Sequence, residues 1–410
     1  MSKSTTNVIS KSVEKISLDD LSTNGDGIID MFSKLKDEEI IRGTKPEGLE
    51  KKCLQLCQSF IGGSWLQTTE TGNIIVTRIT GGLTNQLYRV QLKDTVNRVL
   101  NSIYPIEPTE VAIKFYMPKH MKSYNEEDGE RLNDIIILTI LSQVGIGPKV
   151  YGIFSEGVIQ EFVDHDQFTV KYQKRPEKLR EVVSGIARVH HLNVPIRKTN
   201  NWMLDETIAG LKVAYSECNA QALIDEVGAA NIQNNDPRIE YEKMVKYVEN
   251  LKAPIVFCHN DFRGSNILVR KSDEKVLFVD LEYSAFGPRG SDLATYINEW
   301  GFEPFEFEKQ GLPDDDVLEM FAQMYIDECN KIVPGYADRP ENTVVALVKE
   351  IKVLNMLLYL FFLSFMMKSK DNLVDAIPFD PKANMKFSDY IYKRYLDTKQ
   401  RCIADGIIVD

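Results

Sequence analysis

The stretch from His259 to Asp280, HNDFRGSNILVRKSDEKVLFVD, narrows what this chain can fold into more than any other. Two short apolar segments, Ile255–Cys258 and Val276–Asp280, bracket it and read as strands, so its polar residues stand on a sheet-borne loop. Within it lies His259-x-Asp261-x4-Asn266, and Asp280 follows Asn266 by fourteen residues at the end of the second strand. Phosphoryl transfer from ATP needs such a set of groups. An acid must orient the attacking hydroxyl and accept its proton, which suits Asp261. Hard oxygen ligands must hold Mg2+ against the phosphates, which suits the Asn266 amide and the Asp280 carboxylate. In a purely structural role Asp261 and Asn266 would be turn formers and Asp280 a strand-end cap. The placement between two strands favours the chemical reading.

Val111-Ala112-Ile113-Lys114 matches the V-A-I-K strand whose lysine contacts the α- and β-phosphates of a nucleotide. Alone such a lysine is only solvated; upstream of Asp261 and followed by a helix, it gains meaning. That helix, Glu130–Val144, is expected to present a carboxylate to the lysine. Glu130 and Asp134 lie one turn apart on one face, and Asp134 is the preferred partner. The turn Thr80-Gly81-Gly82-Leu83-Thr84-Asn85 offers Gly82 backbone and the Thr84 and Asn85 side chains as a cover for the ATP phosphates. A Gly-Gly hairpin is elsewhere only a turn, so this element depends on the other two. After Asp280 come Leu281 and Glu282 rather than D-F-G, and no A-P-E follows. The segment that docks a polypeptide is missing, which points to a small substrate. Glu282 shares the face of Asp280 on an extended segment and is a candidate for a second metal.

Residues 1–45 are polar with few aromatics and read as a mobile leader. Residues 47–62 have helical spacing. Strands are expected at Asn73–Ile79, Leu87–Leu92, Glu110–Tyr116, Lys149–Phe154 and Gly157–Phe162, with the helix Glu130–Val144 inserted. Residues 46–163 thus make an ATP-binding N-lobe, a five-stranded antiparallel sheet with one helix. Residues 164–410 make a mostly helical C-lobe carrying the catalytic loop, metal and substrate site. The fold class is α+β and two-lobed.

A net charge of −11 lacks the basic stripe that nucleic-acid phosphates need. The apolar run Val353–Met367 is fifteen residues long, against the roughly 18–20 that span a bilayer, and reads as a buried helix. Six scattered cysteines complete no zinc set and suit a reducing, cytoplasmic setting, and no signal peptide opens the chain.

Taken together, HND-x4-NIL, VDLEYS from Val279, Gly290-Ser291-Asp292…Asn298-Glu299-Trp300, GGLTN, EVAIKFY and GIGPKVYGIFSEGVIQEFV resemble the choline/ethanolamine kinase family over residues 70–305. The resemblance implies a protein-kinase-like fold, Mg2+, and ATP-dependent phosphorylation of choline as the first step of phosphatidylcholine synthesis. Ethanolamine is the alternative acceptor, an aminoglycoside-type substrate a further one, and a homodimer one available assembly. It also implies that Gln160–Val163, with Phe162, form the hinge against adenine, and that Arg289 and Asp292 brace the catalytic loop. Asp261, Tyr283, Glu299, Trp300 and Phe361 would receive the amino alcohol, aromatic faces and carboxylates suiting a quaternary ammonium. The chain departs from the family's W-G-L-W on a late helix, with Phe361 and Ser364 at the two tryptophan positions. That smaller cage leaves ethanolamine open. Asp134 also stands where Glu is usual. A binding scaffold without catalysis is the reading these departures favour, and the presence of Lys114, Asp261, Asn266 and Asp280 opposes it. His259 is expected to brace the loop through hydrogen bonds.

Overall fold

The computed structural model describes residues 43–80, 85–99, 103–117, 130–198, 202–303, 306, 309, 311–370 and 379–409. Most of the leader, together with Gly82 and Thr84, lies outside them.

Strands β1 (Ile74–Ile79), β2 (Gln86–Leu92), β3 (Glu110–Phe115), β4 (Val150–Phe154) and β5 (Gly157–Glu161) form one antiparallel sheet in the order β1-β2-β3-β5-β4. These fall within a residue or two of the expected spans, the usual uncertainty of element ends. Alternation in β2 shows why the sheet forms: Gln86, Tyr88, Val90 and Leu92 point inward and their neighbours outward. The inward face packs on Leu49, Cys53, Leu54 and Cys57 of the helix Leu49–Phe60, spaced so that one helical stripe covers the sheet. Each such apolar side chain contributes about 1.5–3 kcal/mol by leaving water. Gly157 lets β5 approach the lysine strand, since a Cβ there would sit 1.9 Å from the Lys114 carbonyl oxygen.

The helix Glu130–Val144 ends where Gly145 turns left-handed at φ 68°. Beyond β5 the chain is mainly helical, with two small sheets inserted. One joins β6 (His165–Gln167) to β8 (Ile267–Arg270) and β9 (Val276–Phe278); the other pairs β7 (Ile255–Cys258) with β10 (Ala285–Pro288). The catalytic loop runs from the end of β7 to the start of β8, residues 259–266, and Asp280 follows the β8–β9 hairpin.

The apolar run Val353–Met367 is the second half of a helix, Val344–Met367, started by the Thr343 side chain accepting from the Ala346 amide. Nearly all of that helix is buried, against the helices Pro381–Ala404, Trp202–Glu217 and Gly290–Ile297. Among the described residues no helix is long and apolar enough to cross a membrane. All six cysteines are free thiols.

Candidate active site

The catalytic loop leaves β7 through Asn260, held in the left-handed region at φ 64°, a conformation Asn tolerates better than most residues. Asp292, near the start of the helix Gly290–Ile297, holds it there. Its two carboxylate oxygens accept the backbone N–H groups of His259 and Asn260, each at 2.7 Å. The same carboxylate meets Nε2 of the fully buried His190 at 3.1 Å, and His190 Nδ1 meets the Tyr325 hydroxyl at 2.7 Å. Burial, opposed by Asp292, pushes the His190 pKa down. The Asn260 amide donates to the Tyr283 carbonyl at 2.9 Å. His259 Nε2 donates to the Val279 carbonyl at 3.0 Å while Nδ1 accepts from the Asp261 N–H at 3.3 Å, which fixes the tautomer. Its role is bracing.

Arg289 does something else than the resemblance implies. Its guanidinium is fully buried and turned from the loop: it pairs with Glu350 at 2.7 Å and donates to the Tyr336 hydroxyl, the Asn342 side chain and the Glu341 carbonyl. It ties the long central helix to the segment before it.

Asp261 accepts from Asn266 Nδ2 at its own carbonyl (2.9 Å) and at Oδ2 (2.7 Å). Burial pushes the Asp261 pKa up, against the opposing charge of Arg263. With its nitrogen engaged, the Asn266 amide keeps its oxygen as the end available to a cation. Asp280, in the left-handed region at φ 61°, accepts from Lys114 Nζ at 3.1 Å. Glu282 Oε2 accepts from Asn85 Nδ2 at 3.1 Å, and Asn85 Oδ1 accepts from the Met117 amide at 3.1 Å. Asn266 and Asp280 line one cleft, and the Asp280 and Glu282 charges both act on Lys114. Hard oxygen donors of this kind suit Mg2+, although the left-handed Asp280 removes the extended segment on which Glu282 was expected to share its face.

Between the sheet and this loop lies a cavity of about 200 Å³ whose walls include Asn85, Lys114, Gln160, Phe162, Asn266 and Asp280. One face of the Phe162 ring is covered by the Arg89 guanidinium, 4.3 Å from its centroid. Apolar walls come from Ile79, Ala112, Leu141 and Leu268. Lys114 forms an ion pair with Asp280, and the buried Asp134, the partner expected from the neighbouring helix, acts on it through charge. Burial alone would lower the Lys114 pKa, but the charges of Asp280 and Glu282, and last Asp134, raise it above the ordinary lysine value.

The residues expected to receive an amino alcohol fall into three groups. Tyr283 and Phe361 meet on a common partner, Trp202, with ring centroids at 5.9 and 5.4 Å. Glu299 is held by Arg263 at 2.7 Å. Trp300 packs toward the helical core, edge-on to Phe321 at 6.4 Å. Ser364 is buried, its hydroxyl donating to the Phe361 carbonyl at 2.8 Å, and Gly210 of the helix Trp202–Glu217 abuts it. That helix occupies the space a tryptophan at position 364 would need. Sequence reasoning missed Trp202 and Arg263. Arg263 carried a signal, a cation two residues past Asp261; Trp202, more than fifty residues from the motif, carried none.

The family model "Choline/ethanolamine kinase" matches residues 76–395. A choline kinase of Caenorhabditis elegans is 26% identical over 322 residues, 70% of this chain and 72% of that one. The human choline/ethanolamine kinase is 25% identical over 302 residues, 69% and 70% of the two chains. Among solved structures, a choline kinase from Cryptosporidium parvum superposes with a TM-score of 0.60 at 18% identity, covering 87% of this chain and 97% of that chain. An ethanolamine kinase of Plasmodium vivax gives 0.60 at 17%, covering 92% and 95%. At such identity these last two establish the fold, protein-kinase-like and two-part.

Proposed function

The chain belongs to the choline/ethanolamine kinase family, and from that premise we propose that it transfers the γ-phosphoryl group of ATP to the hydroxyl of choline. The observation that carries this is Asp261 held by Asn266, which lines one cleft with the Lys114–Asp280 pair. Phosphoryl transfer asks mainly for positioning and charge, and that is what these residues offer. Gln160 and Phe162 border the adenine end of the cleft. Lys114 exchanges part of its contact with Asp280 for phosphate oxygens when ATP enters, and the Asn85 side chain stands beside them. Asn266, Asp280 and Glu282 would hold Mg2+, which when bound offsets the charge on the phosphates. Asp261 orients the choline hydroxyl and accepts its proton as the new P–O bond forms and the bond to ADP breaks. Its raised pKa makes it a better base than an ordinary aspartate at neutral pH.

Trp202, Tyr283 and Phe361 support the acceptor assignment, because aromatic faces stabilise a quaternary ammonium that cannot donate hydrogen bonds. Trp202 is the strongest such ring and lies 92% buried, taking over part of what Ser364 does not supply. Ethanolamine is the second reading, favoured by Ser364 itself. Side-by-side kcat/KM on the two alcohols tests the assignment. A higher value for choline is expected, and no Mg2+-dependent ADP release with either would sink it.

A further inference from the structure

Arg263 stands two residues beyond Asp261, and its guanidinium lies 2.7 Å from Glu299, with both side chains largely buried at 20% and 16% exposure. Burial would lower the arginine's pKa; the Glu299 and Asp261 charges raise it, so it is a permanent cation between two carboxylates. By the family resemblance Glu299 receives the substrate ammonium, and here that carboxylate is already ion-paired with a residue of the chain itself.

The two amines respond differently to that. A primary ammonium keeps its three N–H donors and is strongly hydrated; losing water without finding acceptors is costly. A quaternary ammonium has no N–H to satisfy and is stabilised by aromatic faces alone. Trp202, Tyr283 and Phe361 supply those faces. We propose that Arg263 is a specificity-determining residue, which by occupying Glu299 denies a primary ammonium its acceptor and biases the site toward quaternary amines. This rests on the proposed function and deepens it: discrimination comes from a built-in cation as well as from the size of the aromatic cage. Removing the cation releases the Glu299 carboxylate to the substrate and helps ethanolamine more than choline.

The test is Arg263→Gln, with Arg263→Met as a second uncharged variant should the first not accumulate, and Arg263→Lys to keep the charge. kcat/KM is measured for choline and ethanolamine, with KM for ATP alongside. The ethanolamine-to-choline ratio of kcat/KM is expected to rise about tenfold or more in the uncharged variants, as one charge-assisted hydrogen bond becomes available. The change should appear in KM for the amine, KM for ATP should hold, and Arg263→Lys should keep the wild-type ratio. An unmoved ratio in an active Gln or Met variant, or a rise in the KM for ATP instead, overturns the role of Arg263. A wild-type protein that phosphorylates neither amine overturns the proposed function itself, so the two failures are distinguishable.

Discussion

Asp292→Ala should damage both the fold and the reaction, because one carboxylate holds the catalytic loop and the helix behind it together. Asp292 is fully buried and accepts two loop amides at 2.7 Å and meets the His190 ring at 3.1 Å. A hydrogen bond to a charged group contributes about 1.5–3 kcal/mol, so three give an upper bound of roughly 4.5–9 kcal/mol. Relaxation recovers part of this, and breaking one partner out of a buried charged set costs about 3–5 kcal/mol. The loss should appear in urea unfolding as a lower midpoint with an unchanged slope. Because Asn260 holds a left-handed conformation that Asp292 enforces, the loop should relax and misplace Asp261. A misplacement of about 1 Å lowers kcat by about a hundredfold. Asp292→Asn keeps one oxygen but sets its NH2 against the other loop amide, so it should fall between wild type and Ala. An Ala variant that loses less than about 1 kcal/mol, or that keeps wild-type kcat, would refute the claim that this residue positions the loop.

Two further perturbations read other parts of the site. A Cβ on Gly210 would stand 2.9 Å from the Ser364 hydroxyl and 3.1 Å from its carbonyl oxygen, and the helix carrying Trp202 must then shift from Phe361. Overpacking costs about 1–3 kcal/mol, offset by about 1 kcal/mol of helix propensity, so Gly210→Ala should lower Tm slightly while raising KM for the amine and leaving KM for ATP alone. Asp261→Asn should abolish turnover yet raise Tm at neutral pH. A carboxyl whose folded pKa lies above its unfolded value binds protons more tightly when folded, so its contribution to stability falls as pH rises from the ordinary aspartate value through the raised one. The gain in Tm should therefore vanish in acid, and a Tm difference independent of pH would contradict this.

Local order was legible in the sequence where one period or one motif fixed it. The alternation of β2 and the bounds of the Glu130–Val144 helix follow from side-chain pattern. His259, Asp261 and Asn266 share the loop after the apolar strand β7, while β8, unforeseen in the sequence, separates them from Asp280 just beyond β9. What could not be read depends on which side chain wins a partner in three dimensions. Lys114 pairs with Asp280, 166 residues away in the chain, a partner beyond the reach of any local pattern. Arg289 turns to Glu350, 61 residues on, because the central helix buries that acid and demands a counter-charge. Trp202 joins Tyr283 and Phe361 only through helix packing, which no local pattern announces.

The central claim, that Asp261 serves an amino-alcohol kinase, is tested most directly by choline-dependent ADP release with Mg–ATP, in wild type and in Asp261→Ala. Release by the wild type should need both choline and Mg2+, and should fall by at least about a hundredfold in the variant. Choline-dependent release that survives in Asp261→Ala, or no substrate-dependent release from a wild-type protein whose Tm rises with Mg–ATP, would contradict it.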